Sequence, residues 1–169
     1  YYTQMLEAIR EVAPRLHIKA FTAVEIVHLA RISKRGRDGY EGIKAVLQDL
    51  KDAGLGSLPG GGAEMLVDGV RMDISPKKGS AENWLRVMSE AQSLGLTTSA
   101  TNVIGFGESL TDRVSHMARI RAGQEHAHAA GRVGFTSFIA WPVQLENNAF
   151  GRRNKGMNRI ILGVGAAEY

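Results

Sequence analysis

A chain of 169 residues, 44% hydrophobic and 22% charged, has the composition of one soluble globular domain and excludes a disordered or fibrous polymer. Its net charge of +4 comes from 21 Lys and Arg against 17 Asp and Glu spread along the chain, so basicity alone does not imply a nucleic-acid partner. Zero cysteines exclude disulfides, cysteine-ligated zinc, a catalytic thiolate and any thiolate-held iron–sulfur cluster within these residues.

Tyr2, Met5, Leu6, Ile9 and Val12 recur at helical spacing until Pro14, so the chain opens inside a helix. That helix has no capping residue before it, as expected of a domain whose start lies upstream. The alternating stretch Leu16 to Phe21 reads as a strand, and Ala23 to about Ile32 as a helix. Tyr40, Ile43, Val46, Leu47 and Leu50 mark another helix, which ends at Gly54. A strand over Leu55 to Leu58 breaks at Pro59-Gly60-Gly61-Gly62, and Ala63 to Met72 reads as a short helix. Ser80 can cap a helix with Trp84, Leu85, Val87, Met88, Ala91 and Leu94 on its apolar face, and Thr97 to Ile104 is a strand rich in β-branched residues. The unit repeats: Leu110 to roughly His126 carries Val114, Met117, Ala118 and Ile120 at helical intervals, Gly134 to Trp141 is an apolar strand, and a long polar loop follows.

Four strands alternating with helices predict right-handed βαβ units and a parallel sheet. A closed barrel needs eight strands, so the expectation is an α/β fold, a partial TIM-type barrel truncated at both ends, forming one domain over 1–169. A small doubly wound sheet is the alternative. No apolar run approaches the roughly 18 residues of a membrane span, and Tyr1-Tyr2-Thr3-Gln4 has neither a basic region nor a cleavable apolar stretch, so the expectation is a cytoplasmic protein without membrane insertion.

In either architecture ligands bind at the carboxyl ends of the strands, where helix N-termini offer free N–H groups. The residues expected there are Phe21, Thr22, Glu25 and His28 after the first strand, Gly60 to Glu64 after the second, Gly105 to Glu108 after the third, and Trp141 to Asn148 after the fourth. Gly60 to Gly62 let a backbone approach a ligand closely, and Glu64 can accept hydrogen bonds from a ribose diol or an ammonium group; a plain strand-to-helix turn accounts for the same glycines. Val103 and Ile104 can flank a flat base, with Glu108 either a ligand contact or a helix cap. His28, three residues after Glu25, shares its helical face and can bind substrate or exchange a proton; both are catalytic candidates. His116, His126 and His128 are not read as a metal site, because the last two fall on different sides of a helix. Arg152, Arg153, Lys155 and Arg159 form the one basic concentration; with no aromatic residues interleaved, it is a solvated loop or an anion contact rather than a nucleic-acid platform.

Across these loops the sequence resembles a group of radical S-adenosylmethionine enzymes that serve menaquinone and deazaflavin biosynthesis. The resemblance covers nearly the whole chain. It is carried by Phe21-Thr-Ala-Val-Glu25-Ile-Val-His28, Ser57-Leu-Pro-Gly-Gly-Gly-Ala-Glu64, Val70-Arg71 with Ile74-Ser-Pro-Lys-Lys78, Glu82-Asn83-Trp84-Leu85, Gly105 to Glu108, and Phe138-Ile-Ala-Trp141 with Glu146-Asn147. It implies S-adenosylmethionine and a four-iron, four-sulfur cluster as cofactors, the cluster-binding cysteines and the C-terminal part lying outside this chain, so that these residues alone are inactive.

It also implies roles. Glu64 and Lys78 would touch the ribose or methionyl groups of S-adenosylmethionine, and Val103, Ile104 and Gly105 would line its adenine, with Glu108 nearby. Thr101 stands where related enzymes often have glycine. Substrate contacts would be Phe21, Glu25, His28, Trp141, Glu146 and Asn147, the partners being a small nucleoside substrate and a reductant for the cluster. Within the group, Ile74-Ser75-Pro76, His28 and Trp141 resemble the futalosine-pathway cyclase, which implies cyclisation of dehypoxanthine futalosine. The Phe-Thr-Ala-Val-Glu opening looks more like aminofutalosine synthase, and a deazaflavin-precursor synthase or a non-catalytic nucleoside-binding barrel are further alternatives.

Overall fold

The computed structural model describes residues 1–35, 40–147 and 149–154. In chain order the elements are α1 (Tyr2–Val12), β1 (Ile18–Lys19), α2 (Ala23–Ile32), α3 (Tyr40–Asp52), β2 (Leu55–Leu58), α4 (Asp68–Ile74) followed by a 3-10 turn at Pro76–Lys78, α5 (Ala81–Ser93), β3 (Thr97–Ile104), α6 (Leu110–Ala129), β4 (Phe135–Pro142) and α7 (Ala149–Arg153).

All pairings are parallel and the strand order is β1-β2-β3-β4. Each strand lies beside its predecessor and the order never reverses. A doubly wound sheet reverses at a switch point and carries helices on both faces; an unreversed order keeps successive right-handed crossovers on one face. The arrangement is therefore an open segment of a TIM-type barrel, and the sheet is not closed.

The core lies between the strands and their helices. Leu6, Ile26, Leu47, Leu58, Leu66, Trp84, Val87 and Met88 are essentially inaccessible to solvent and belong to one apolar cluster. Helix boundaries follow from local chemistry. Thr22 and Ser109 each open their helix with a reciprocal capping box, to Glu25 and Asp112. Ser80 caps α5 by accepting from Asn83 N–H, and Gly54 and Gly95, both at positive φ, turn the chain back into β2 and toward β3.

Three expectations are corrected. The strand expected over Leu16 to Phe21 is reduced to Ile18–Lys19, because Phe21 takes a positive φ of 60° to start the loop. The helix expected over Ala63 to Met72 begins only at Asp68: Ala63, Met65 and Leu66 are fully buried as a loop plugged into the core, and Glu64 sits at φ 39°, which no right-handed helix accommodates. On α6 the buried residues are His116, Ile120 and Ala127, whereas Val114 and Met117 face solvent. The polar loop after β4 also holds α7. Among the described residues no helix is long and apolar enough to cross a membrane.

Candidate functional site

The two faces of the sheet can be told apart by their contacts. Thr98 Oγ1 accepts from Gln92 of α5 at 2.9 Å, and Phe138 packs beside His116 of α6, so these side chains face the helices. Alternation then directs Ser99, Thr101 and Val103 of β3, and Ser137, Ile139 and Trp141 of β4, to the inner face. Closed barrels fill that face with bulky branched side chains. Here the lowest row is the hydroxyl pair Ser99 and Ser137, the next sets Thr101 beside Ile139, and the upper row is Val103 beside Trp141, directly paired across the strands.

The four loops at the carboxyl ends touch in series. A Cβ on Gly61 would lie 3.0 Å from Thr22 Cγ2, and one on Gly62 2.7 Å from Val24 Cγ2, so the second loop packs on the first through glycines. Gly60 N–H donates to Ser99 Oγ at 3.0 Å and Thr101 Oγ1 donates to Gly60 O at 2.6 Å, which joins the second loop to β3. The third loop meets the fourth where Val143 N–H donates to Ile104 O at 2.8 Å and where Phe106 packs edge-on against Phe150, 5.4 Å between centroids. Glu64, Val103, Gly105 and Trp141 thus lie along one series of touching loops, with Lys78 held to it by Glu64.

Within that rim the side chains have different tasks. Glu64 forms an ion pair with Lys78; the side chains are 17% and 38% exposed, so the pair is reachable but partly desolvated. The Glu64 carbonyl accepts from Val103 N–H at 2.8 Å and from Asn102 Nδ2 at 3.4 Å. These bonds hold an unfavourable positive φ in place. Glu108 is completely enclosed: its oxygens accept from Gly105 N–H at 2.9 Å and Phe106 N–H at 2.7 Å and from Arg113 Nε at 2.8 Å. The carboxylate closes its own turn and offers the rim backbone rather than charge.

Two expected pairings are not realised. Ile104 stands opposite Pro142 on the helix side of the sheet, so Val103 and Ile104 do not line one surface; Ile104 reaches the rim only through its carbonyl. Glu25 and His28 do not bond to each other either. Glu25 Oε2 accepts from Thr22 N–H at 2.7 Å and Thr22 Oγ1 at 2.8 Å, and His28 Nδ1 lies 3.0 Å from Arg31. Both side chains are exposed. Arg152 and Arg153 belong to α7, while Asn148, Lys155 and Arg159 lie outside the described residues. His126 and His128 stand apart on α6, the latter near Gln124 and the Val133 carbonyl.

Sequence reasoning missed two residues that shape the rim. Arg71, only 2% exposed, donates to the carbonyls of Gly62, Ala63, Lys78 and Gly79. Burial lowers its pKa from the usual guanidinium value, against the raising influence of Glu64 and Asp68. His116, fully buried, accepts from Leu66 N–H at 2.9 Å through Nδ1 and so carries its proton on Nε2. Nε2 is enclosed, with the Thr101 carbonyl favouring its proton but no partner in full hydrogen-bond geometry. Burial lowers the His116 pKa to about 4. No sequence pattern marked the role of Arg71, which stands between Asp68 and Asp73; the signal for His116 was its position four residues before Ile120, on the buried face of α6.

The chain is similar to enzymes of futalosine metabolism and to a related transferase. It is 36% identical over 155 residues, 92% of its length, to cyclic dehypoxanthine futalosine synthase of Halalkalibacterium halodurans. It is 38% identical over 152 residues, 90% of its length, to aminodeoxyfutalosine synthase of Thermus thermophilus. Against the 5-amino-6-(D-ribitylamino)uracil–L-tyrosine 4-hydroxyphenyl transferase of Archaeoglobus fulgidus it is 35% identical over 156 residues, 92% of its length. The chain spans 39%, 38% and 42% of these curated relatives' own lengths. No protein-family model matches it.

Proposed function

We propose that residues 1–169 form part of a radical S-adenosylmethionine enzyme of the futalosine route to menaquinone, and that the complete protein cyclises dehypoxanthine futalosine. The observation that carries this reading is the contact of successive carboxyl-end loops bearing the motif residues, in a chain similar along nine-tenths of its length to enzymes of that pathway.

Two features support S-adenosylmethionine as the ligand: the Glu64–Lys78 pair offers both a carboxylate and an ammonium group, and Val103 supplies an apolar contact on the inner face. Glycines 60 to 62 serve packing instead, against β3, Thr22 and Val24. In this reading Glu64 and Lys78 hold the ribose or methionyl polar groups, Val103 and Gly105 border the adenine, and Glu108 acts by shaping the turn that presents Gly105. With zero cysteines, this stretch contributes no thiolate to an iron–sulfur cluster; those ligands belong to the remainder of the proposed enzyme. Together the two cofactors supply the one-electron chemistry that starts the reaction.

The chain's own part is positioning. Trp141, beside Val103 on the inner face, gives a flat surface against which the aromatic ring of the substrate is held. Phe21, Glu146 and Asn147 border the mouth, and Glu25 and His28 offer polar contacts from the first loop. Holding the nucleoside against the cofactor converts an encounter into an intramolecular step, and the walls keep water away.

A second reading, aminofutalosine synthase, is favoured by the Phe21-Thr22-Ala23-Val24-Glu25 opening and the 38% identity to the Thermus enzyme. One experiment separates them. Full-length protein reconstituted with iron and sulfide under anaerobic conditions is given S-adenosylmethionine, a reductant, and either dehypoxanthine futalosine or an enol-ether benzoate. Mass spectrometry showing 5′-deoxyadenosine and a cyclic product two hydrogens lighter than the first substrate supports the cyclase, an adenosylated adduct from the second supports the synthase, and no turnover of either overturns both.

A further inference from the structure

Glu64 and Lys78 are fourteen residues apart, yet they must present one fixed arrangement of charge if they serve a ligand together. Nothing in their own side chains secures this, since the ammonium group of lysine sits on a flexible four-carbon stem. The backbones that carry them are joined by Arg71. Its Nη1 donates to Gly62 O at 3.1 Å and Ala63 O at 2.5 Å, immediately before Glu64. Its Nε donates to Gly79 O at 3.0 Å and its Nη2 reaches Lys78 O at 3.4 Å. A planar guanidinium has donors in a rigid fork, so these four bonds set the spacing between the two loop segments as a brace does. Asp68, three residues earlier on the same short helix, accepts at Oδ1 from Ala81 N–H at 2.7 Å. Arg71 itself is buried and has no access to a ligand.

We propose that Arg71 is the positioning residue of this site: it sets the separation of Glu64 and Lys78, and through them the affinity for S-adenosylmethionine, without touching the ligand. The inference rests on the reading of that pair as cofactor contacts.

The test is calorimetric titration of S-adenosylmethionine into the cluster-reconstituted full-length protein, for wild type, R71K, K78M, E64Q and R71K/K78M, with thermal melting of each. Lysine keeps the charge but cannot span four carbonyls. R71K is expected to weaken binding at least tenfold, and the loss is expected to shrink below twofold in the K78M background, because Arg71 then has no pair to align. A purely structural role would lower the melting point and weaken binding equally in both backgrounds, and that result overturns the proposal, as does wild-type affinity in R71K. Should R71K fail to fold, R71Q, which retains two N–H donors, is read in the same way; failure of both to fold assigns Arg71 to stability alone and also overturns it. Wild type that does not bind, or binding indifferent to both E64Q and K78M, defeats the underlying reading of the pair instead.

Discussion

Glu108 shows how one residue can look like a ligand contact and be fully employed elsewhere. Its enclosed carboxylate satisfies two backbone N–H groups and Arg113. Replacing it with alanine leaves three donors without a partner, each charge-assisted bond being worth about 1.5–3 kcal/mol. E108A is expected to lower unfolding free energy by at least about 2 kcal/mol in urea denaturation, while E108Q, which keeps acceptor oxygen, loses less. His116 supplies a second test. Its pKa of about 4 in the folded protein lies below the 6.5 of the unfolded chain, chiefly because burial penalises the charged ring. A depressed folded pKa means that the neutral ring's contribution is fully present above about pH 6.5 and is lost as pH falls through about 4. The shift corresponds to roughly 3 kcal/mol across that window. Urea midpoints measured from pH 7 to pH 4 are expected to fall less in H116Q, which keeps an acceptor for Leu66 N–H but does not titrate. An unchanged slope would show that other groups govern acid sensitivity.

At the scale of elements, the joint between the second loop and β3 depends on the absence of side chains. A Cβ on Gly60 would sit 2.7 Å from the Ser99 carbonyl oxygen and 2.8 Å from the Ala100 carbonyl carbon. Both belong to a strand backbone that cannot yield, so G60A is expected to cost about 1–3 kcal/mol and to disturb the bonds to Ser99 and Thr101. Gly69, with nothing within 4 Å of its added Cβ, is the internal control. On α4 an alanine there is expected to be neutral or to stabilise by up to about 1 kcal/mol, and equal urea midpoints for the two variants would refute the distinction.

The same elements explain what could be read beforehand. Periodicity and capping located α2, β2, α5 and β3 because their local signals agree with their tertiary roles: Ser80 caps, Gly54 and Gly95 turn, and β-branched residues fill β3. Ala63 to Leu66 misled because a loop buried against a sheet selects small and apolar residues just as a helix face does, and only the backbone reveals φ 39° at Glu64. The parallel sheet, and with it loops at the carboxyl ends of the strands, was legible from the alternation of strands and helices. The division between Val103 on the inner face and Ile104 on the outer was also available in the period-two alternation. The brace at Arg71 was not, since its partners are carbonyls, which every residue possesses and no sequence pattern marks.

At the scale of the whole molecule, β4 is an edge of the open sheet among the described residues. Phe138, Ile139 and Trp141 are 41%, 37% and 51% exposed, so apolar surface is uncovered on both faces of one strand. On α6, Leu110, Val114 and Met117 are also exposed at helical spacing. A paired strand would satisfy the outer N–H and C=O groups of β4, and an unpaired one invites another chain to do so. Residues 1–169 produced alone are therefore expected to associate, giving a sedimentation profile whose average mass rises with protein concentration. Placing charge at the edge should reduce this, because pairing two such strands would bury unpaired cations. F138K and I139K, which charge opposite faces of β4, are expected to shift the profile toward monomer in proportion to how far each face takes part. A monodisperse monomer with a cooperative melt from the unsubstituted 169 residues would mean that the open edge protects itself, and that the barrel segment is a self-sufficient unit.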